Sequence, residues 1–325
     1  MIVDETVRTV RVIASGGTIA MAGRHAVPTL DADQLVGEIS SLTGIEVRTE
    51  NPMSLPGSHL SLTDALSLAQ LAIAAAESGE GVVVTQGTDT LEEVAFLCDV
   101  LYGGRLPIVF TGAMRPATTL GSDGPANILD AVTVASSAKA DDLGVLVSFA
   151  GRIHAARSIR KADSVGLVAF SSPHGEVGRV VEGRVTIDQY PPRRPSITPE
   201  SLEHRVEIVS AGLGSDGAMI GTLLGGEIDG LIAVALGAGH FPPRLLQQLS
   251  IAAESVPVIA TVRPERGAIL HDTYGFAGSE RDLRRTPIIP AGLLSPAAAR
   301  IKLLACLGAG LNAAEIREAF AVDDG

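Results

Sequence analysis

Residues 81–93 read Gly81-Val82-Val83-Val84-Thr85-Gln86-Gly87-Thr88-Asp89-Thr90-Leu91-Glu92-Glu93. The apolar run is β-branched and shows no polar alternation, so it predicts a strand buried on both faces. Gly87 then breaks the run. Asp89 or Thr90, followed by Glu92 and Glu93, predicts a helix start with acids in its first turn. A buried strand, a glycine turn and a helix form half of a parallel βαβ unit. Ligands in such folds bind beyond the carboxyl ends of the strands. Capping explains Asp89 or Thr90, but it leaves most of the cluster of three hydroxyls and one carboxylate at 85–90 without a task.

The same grammar repeats along the chain. Val/Ile-rich strands are predicted at 7–13, 81–85, 107–111, 144–149, 205–210, 230–236 and 256–262. Ala/Leu-rich helices are predicted between them at 32–42, 63–78, 91–102, 124–138, 215–225, 243–253 and 296–306. Strands that are each followed by a helix indicate an α/β fold with a parallel sheet covered on both faces. A length of 325 residues suggests two domains. The break falls at 188–203, which holds Pro191-Pro192, Arg193-Arg194-Pro195 and Ser196-Ile197-Thr198-Pro199. Proline lacks a donor and forces its predecessor into extended backbone. The expected division is therefore domain 1–187, linker 188–203 and domain 204–325.

Composition excludes several function classes. A net charge of −12 disfavours nucleic acid, which needs a basic surface. No apolar run reaches the roughly 18–20 residues of a membrane span. The start, Met1-Ile2-Val3-Asp4-Glu5, has no secretory-signal pattern, so a cytoplasmic location is expected. Cys98 and Cys306 stand far apart without a CxxC, so neither a cysteine-built zinc site nor a disulfide framework is expected. Each is expected in a core. Aromatic residues are 3% of the chain, which argues against a site that stacks bases or sugars.

Two further turns join the first. In Ile13-Ala14-Ser15-Gly16-Gly17-Thr18-Ile19-Ala20 a strand ends in two glycines that permit positive φ and close approach. GxGxxG is absent, which argues against a dinucleotide site. Thr18 is either a nucleophile at a strand tip or a local bonder of backbone. Two parallel strands ending this way would set Thr18 and Thr88 at one edge of the sheet. The third strand end is Phe110-Thr111-Gly112-Ala113-Met114-Arg115-Pro116, followed by Ser122-Asp123-Gly124-Pro125-Ala126-Asn127. This stretch reads as a βα loop capped at Ser122 or Asp123, or as a wall of the site.

Taken in order, the motifs at 15–20, 85–93, 112–116 and 122–127 resemble the signatures of the bacterial L-asparaginase family. Gly275-Phe276, Leu294-Ser295-Pro296 and Ala299-Arg300 extend the likeness over nearly the whole chain. The resemblance implies a larger N-terminal α/β domain with a mixed sheet and a smaller C-terminal α/β domain with a parallel sheet. It implies a cofactor-free, metal-free amidohydrolase that acts on a small amide. It also implies a homotetramer, a dimer of dimers, with sites at the intimate dimer interface. Thr18 matches the nucleophilic threonine. Thr88, Asp89 and Lys161 match the Thr-Lys-Asp group, with Lys161 lying in Arg157-Ser158-Ile159-Arg160-Lys161. Ser58 matches the serine that holds the substrate α-carboxylate, and Ala113 offers backbone to the side-chain amide. Gly17, Gly87 and His59 line the same pocket.

The chemistry stands without the family. A threonine hydroxyl needs a base, and Lys161 oriented by Asp89 can supply one. Backbone N–H groups at a glycine turn can hold the oxyanion. A water near Thr88 then hydrolyses the acyl-enzyme. Without the resemblance, Lys161 reads as a solvated charge beside Arg157 and Arg160. Three departures bear on substrate. The loop at 21–29, where the family carries a tyrosine, has none, and His25 stands near its place. His59 follows Ser58 where a polar residue such as glutamine is usual. His240, in Gly237-Ala238-Gly239-His240, stands where a neighbour-contributed asparagine is common. No metal-ligand spacing links the three histidines. L-asparagine is the expected substrate. Glutamine or a modified asparagine is the rival, and a catalytically weak amino-acid-binding homolog is the reading from another class.

Overall fold

A computed structural model describes residues 8–22, 27–37 and 39–323, apart from the side chains of Ser40 and Leu42. The chain divides into two compact units, 1–196 and 197–325. Each is described by itself.

The strands of the first unit are β1 (Val10–Ala14), β2 (Met21–Ala22), β3 (Val27–Pro28), β4 (Val47–Glu50), β5 (Gly81–Thr85), β6 (Ile108–Thr111), β7 (Val145–Phe149), β8 (Arg152–Ala155), β9 (Arg160–Lys161), β10 (Phe170–Ser171), β11 (Gly178–Val181) and β12 (Arg184–Ile187). Its helices are α1 (Ala32–Val36), α2 (Ile39–Thr43), α3 (Leu62–Glu77), α4 (Leu91–Leu101) and α5 (Gly124–Ser136). Eight strands form one sheet in the order β12-β11-β8-β7-β6-β5-β1-β4. β4, β1, β5, β6 and β7 run parallel, while the β7–β8, β8–β11 and β11–β12 pairs are antiparallel. The sheet is therefore mixed, as the family resemblance implies. The strand-helix grammar alone reaches only its parallel part.

Topology selects one place on this sheet. From β1 the chain moves outward to β4, then returns to β5 on the other side of β1. Reversal of winding opens a crevice at the carboxyl ends of β1 and β5, the switch point at which open α/β sheets bind ligands. The turns holding Thr18 and Thr88 leave from those two ends.

The second unit contains β13 (Val206–Ser210), α6 (Ala218–Gly225), β14 (Gly230–Ala235), α7 (Pro243–Ala252), β15 (Val258–Val262), α8 (Glu280–Leu283), β16 (Ile289–Pro290), α9 (Pro296–Gly308) and α10 (Ala313–Ala321). Its four strands lie in sequence order and all pair in parallel. Residues 188–205, which straddle the division at 196/197, form neither helix nor strand. Among the described residues no helix is long and apolar enough to cross a membrane.

Local chemistry explains most boundaries. Ser61 and Asp64 close a reciprocal capping box at the head of α3. The single helix expected over 32–42 is two, because Gly37 ends α1 at φ +47. The helix expected from 215 starts only after Gly217, which takes φ +82. Cys98 and Cys306 are both fully buried and free. Burial pushes both thiols up, that of Cys306 to about 11.

One residue of α5 is poorly matched to its surroundings. Burial pushes Asp130 up to about 6, and no described residue pairs with it. A raised carboxyl pKa means that the folded state holds the proton more tightly than the unfolded chain. The charged form therefore costs stability above about pH 6, and that cost disappears as pH falls below the ordinary value of 3.8. Asp130→Asn is expected to raise the melting temperature at pH 8 and leave it unchanged at pH 3.5. Equal melting temperatures at pH 8 would show that Asp130 is adequately solvated.

Candidate active site

Three glycines build the site. Gly17 takes φ 78 and ψ −177, a region essentially closed to residues with a Cβ. A Cβ there would lie 2.2 Å from the N of Gly87. A Cβ on Gly87 would lie 2.7 Å from the N of Gly57 and 3.3 Å from the Cα of Gly17. The backbones of three distant segments thus meet with no side chain between them. Each glycine directly precedes a hydroxyl residue: Thr18, Ser58 and Thr88. The contact fixes the three segments against one another.

Hydrogen bonds continue the sheet into this junction. Ser15 N donates to Thr85 O at 3.0 Å, and Gln86 N donates to Thr111 O at 2.9 Å. Leu55 N donates to Ser15 O at 3.0 Å, and Gly17 N donates to Leu55 O at 2.9 Å. Thr90 occupies the N-cap of α4 but makes no side-chain cap bond. Its hydroxyl instead donates to Gly57 O at 2.9 Å and accepts from Gln86 Nε2 at 3.1 Å. The capping role expected for Asp89 or Thr90 is thus displaced, and Thr90 ties two of the three glycine segments together.

The threonines differ in environment. Thr18 is half-buried at the head of a 3₁₀ turn, and its hydroxyl has no partner among the described residues. Local backbone bonding therefore does not account for it. Thr88 is buried, and its Oγ1 accepts from Lys161 Nζ at 3.0 Å. Lys161 Nζ also meets Asp89 Oδ1 at 2.9 Å. Lys161 is therefore not the solvated charge that its arginine neighbours suggest. Nor does a hydrogen bond join it to Thr18 directly. Ser58 and His59 are exposed on the 3₁₀ turn Gly57–His59.

The third wall is Gly112-Ala113-Met114-Arg115. A Cβ on Gly112 would lie 2.6 Å from Gln86 O. Asp123 stands at the N-cap of α5 without a cap bond. Its carboxylate accepts from Met114 N at 2.9 Å and from Arg115 N at 2.9 Å. Asn127 Nδ2 donates to Gly112 O at 2.9 Å, while its Oδ1 accepts from Ala150 N at 3.0 Å. Both side chains hold the wall that contains buried Ala113.

Of the three histidines, His25 lies outside the described residues. His240 belongs to the second unit, on the tight turn joining Leu236 to His240. Its Nε2 lies 3.4 Å from Glu280 Oε2, and its ring meets Tyr274 and Phe276 edge-on at 4.9 and 5.0 Å. Glu280 is fully buried, and its other oxygen accepts from Thr273 N and Tyr274 N, each at 2.6 Å. Burial opposes its charge, but the N–H groups of Tyr274 and Thr273 outweigh that and hold the carboxyl below its ordinary range. Glu280 gave no sequence signal, because the helix it heads, Glu280–Leu283, is only four residues long and carries no periodic pattern.

His154 was also silent in the sequence. It is buried on β8, where its Nδ1 meets Ser172 Oγ at 2.9 Å just beyond β10, the strand paired with β9 and Lys161. Burial and then the charge of Arg152 push it down to about 4. The unfolded chain takes up this proton below the ordinary value of 6.5, while the folded chain does so only near 4. Stability therefore falls as pH drops through that window, by about 3 kcal/mol at most. Denaturant unfolding of wild type and His154→Gln at pH 7 and pH 4.5 tests this. The wild type should lose more stability than the variant, and parallel losses would clear His154.

Two matches frame the site. Residues 9–193 match the family model described as asparaginase, N-terminal, and residues 205–320 match that of the glutaminase/asparaginase C-terminal domain. The chain belongs to the asparaginase family. It is 37% identical over 316 residues to a probable L-asparaginase of Deinococcus radiodurans, covering 95% of each chain. It is 28% identical to a glutaminase-asparaginase of Pseudomonas fluorescens biotype A, covering 95% of this chain and 89% of that one. The crystal structure of a probable cytoplasmic L-asparaginase from Campylobacter jejuni superposes with a TM-score of 0.83 at 26% identity, covering 97% and 99% of the two chains.

Proposed function

We propose that this chain hydrolyses L-asparagine to L-aspartate and ammonia through an acyl-enzyme on Thr18. The observation that carries the reading is the glycine junction. It packs Gly17 on Gly87, so that Thr18, whose hydroxyl has no partner among the described residues, and Thr88, bonded to a lysine that also meets Asp89, leave from one backbone contact. Thr18 Oγ1 attacks the side-chain amide carbon, and backbone N–H groups of the glycine turns hold the oxyanion. The C–N bond breaks and ammonia leaves with the proton lost by Thr18. Water then enters beside Thr88. Lys161, once it has released its own proton, receives that of the water through the Thr88 hydroxyl, and Asp89 compensates the charge restored on Lys161. Hydroxide equivalent adds to the ester carbon, and Thr18 leaves with a proton as L-aspartate is released. Ser58 receives the substrate α-carboxylate, with His59, Gly17, Gly87 and Ala113 around it.

Similarity to L-asparaginases over nearly the full length supports this substrate. Relatives named glutaminase-asparaginases favour L-glutamine as the second substrate. Ammonia release from L-Asn, L-Gln and D-Asn by the purified protein tests both. L-Asn is expected to be turned over fastest, and binding of L-Asn without ammonia would leave an amino-acid-binding homolog. The assembly we infer is a homotetramer, a dimer of dimers, in which His240 of one chain serves its neighbour's site. Sedimentation equilibrium distinguishes it from a monomer. The cytoplasm is the location we infer, in keeping with the named location of the Campylobacter relative.

A further inference from the structure

Lys161 sits on β9, a strand of only two residues. Its ladder with β10 pairs Lys161 with Phe170 and Arg160 with Ser171. On that side the chain bonds through Ala162 N, which donates to Ala169 O at 2.8 Å. The N–H of Lys161 goes elsewhere, to a carboxylate oxygen of Glu92. Glu92 therefore takes the place of a missing third strand.

The origin of that carboxylate matters. Glu92 stands in the first turn of α4, where its sequence position suggests no more than an interaction with the helix dipole. Its side chain leaves the helix and spans 69 residues of sequence to reach Lys161. The ammonium of the same lysine is bonded to Thr88 and Asp89. One five-residue segment, 88–92, thus grips Lys161 at both ends, Nζ by Thr88 and Asp89 and main-chain N by Glu92. A lysine side chain has four rotors and a large rotamer entropy. Pinning both ends sets the ammonium against Thr88 without the aid of substrate.

The surroundings agree with a fixed anchor. Arg157, four residues before Lys161, pairs at 2.5 Å with Asp99 on the same helix as Glu92. Phe170, opposite Lys161 on β10, packs edge-on against Phe149 with ring centroids 5.0 Å apart. Burial pushes the Glu92 carboxyl up, opposed by the Lys161 N–H and by the charges of Arg160 and Lys161. An acceptor kept from water offers its hydrogen bond to one donor rather than to many.

We propose that Glu92 is a positioning residue of the hydrolysis, acting through the main chain of Lys161 to hold its amine on Thr88. This rests on the role given to Lys161 above. The bond requires an acceptor of glutamate's length at position 92 and not a charge as such, which makes the proposal specific.

The test compares Glu92→Ala, Glu92→Gln and Lys161→Met with wild type, using L-asparagine and steady-state ammonia release on the full oligomer. Glu92→Ala is expected to lower kcat by about 10- to 100-fold, the worth of one hydrogen bond to a charged group, with KM within about threefold. Glu92→Gln, which keeps the carbonyl acceptor, should recover kcat to within about threefold of wild type. Lys161→Met should be more defective than either. Wild-type kcat in Glu92→Ala overturns the proposal, as does a Gln variant as slow as the Ala variant at equal melting temperature. KM rising in step with a falling kcat also overturns it, because that is a general loosening of the site. Should Glu92→Ala fail to fold, the Gln variant decides alone: kcat near wild type sustains the acceptor role, and a tenfold loss with intact folding overturns it. Full activity in Lys161→Met would sink the reading of Lys161 itself, an outcome distinct from failure of Glu92.

Discussion

Thr18→Ala is expected to leave a folded protein whose ammonia release from L-asparagine is lost, with kcat down by about four orders of magnitude. Thr18 Oγ1 bonds no described residue, so removing it breaks no hydrogen bond among the described residues. The backbone of its turn is set by Gly17 and by the bond from Ala20 N to Gly17 O, neither of which involves the side chain. The melting temperature should therefore shift by no more than about 1 °C, in line with a half-buried position that loses only a hydroxyl and a methyl. L-Aspartate should still stabilise the variant against heat, since the groups that would bind its α-carboxylate remain. A variant that retains even a tenth of the wild-type kcat would remove Thr18 from the covalent step.

The second large effect is on the frame. Gly17→Ala is expected to destabilise the first unit by about 3 kcal/mol or more and to cut kcat at least about 100-fold. Two costs add here. The dihedrals at Gly17 belong to glycine alone, and the new methyl would meet the main-chain N and Cα of Gly87 at 2.2 and 2.3 Å. Main chain cannot rotate aside as a flexible side chain can. The junction must therefore open, and Thr18, Ser58 and Thr88 separate together. A reference position has positive φ without the close contact. Gly44 also has positive φ, +72, but a Cβ there would meet nothing within 4 Å. Gly44→Ala should cost only about 1 kcal/mol and leave kcat unchanged. Equal effects at the two positions would mean that neither the close contact nor the glycine-only dihedrals of Gly17 carry the weight given to them.

How much of this was legible depends on what each feature is made of. Strand 81–85 was readable to the residue, because a two-sided buried strand is written as an unbroken β-branched run. The antiparallel strands β8, β11 and β12 were not, because Arg152-Ile153-His154-Ala155 and its partners are short and carry polar residues. Their antiparallel pairing has no intervening helix to announce it. α10 was missed although its start is written plainly, since Asn312 and Glu315 form a capping box. In the site, the Gly-Thr turns at 17–18 and 87–88 could be joined by reasoning about parallel strands. The arrival of Gly57 could not, because it depends on the 54–55 segment bridging Gly16 through backbone. The resemblance supplied Lys161, which spacing alone would have left in solvent. Glu92 and Glu280 were hidden for different reasons: Glu280 heads a four-residue helix that no periodicity announces, whereas Glu92 opens a helix that was expected. An acid in a helix's first turn has a sufficient local explanation, and only the folded chain reveals that its carboxylate has gone elsewhere.

The two cysteines have a practical consequence. One thiol lies wholly inside each unit, Cys98 on α4 and Cys306 on α9, and both are shifted away from the reactive thiolate form. A disulfide-exchange dye at pH 8 should therefore find the native molecule inert and mark each thiol only when its own surroundings open. The chain thus carries a separate opening clock in each half. Peptide mapping after timed labelling would read both clocks in one sample, and their ratio would tell whether the halves come apart in a single cooperative event or one before the other.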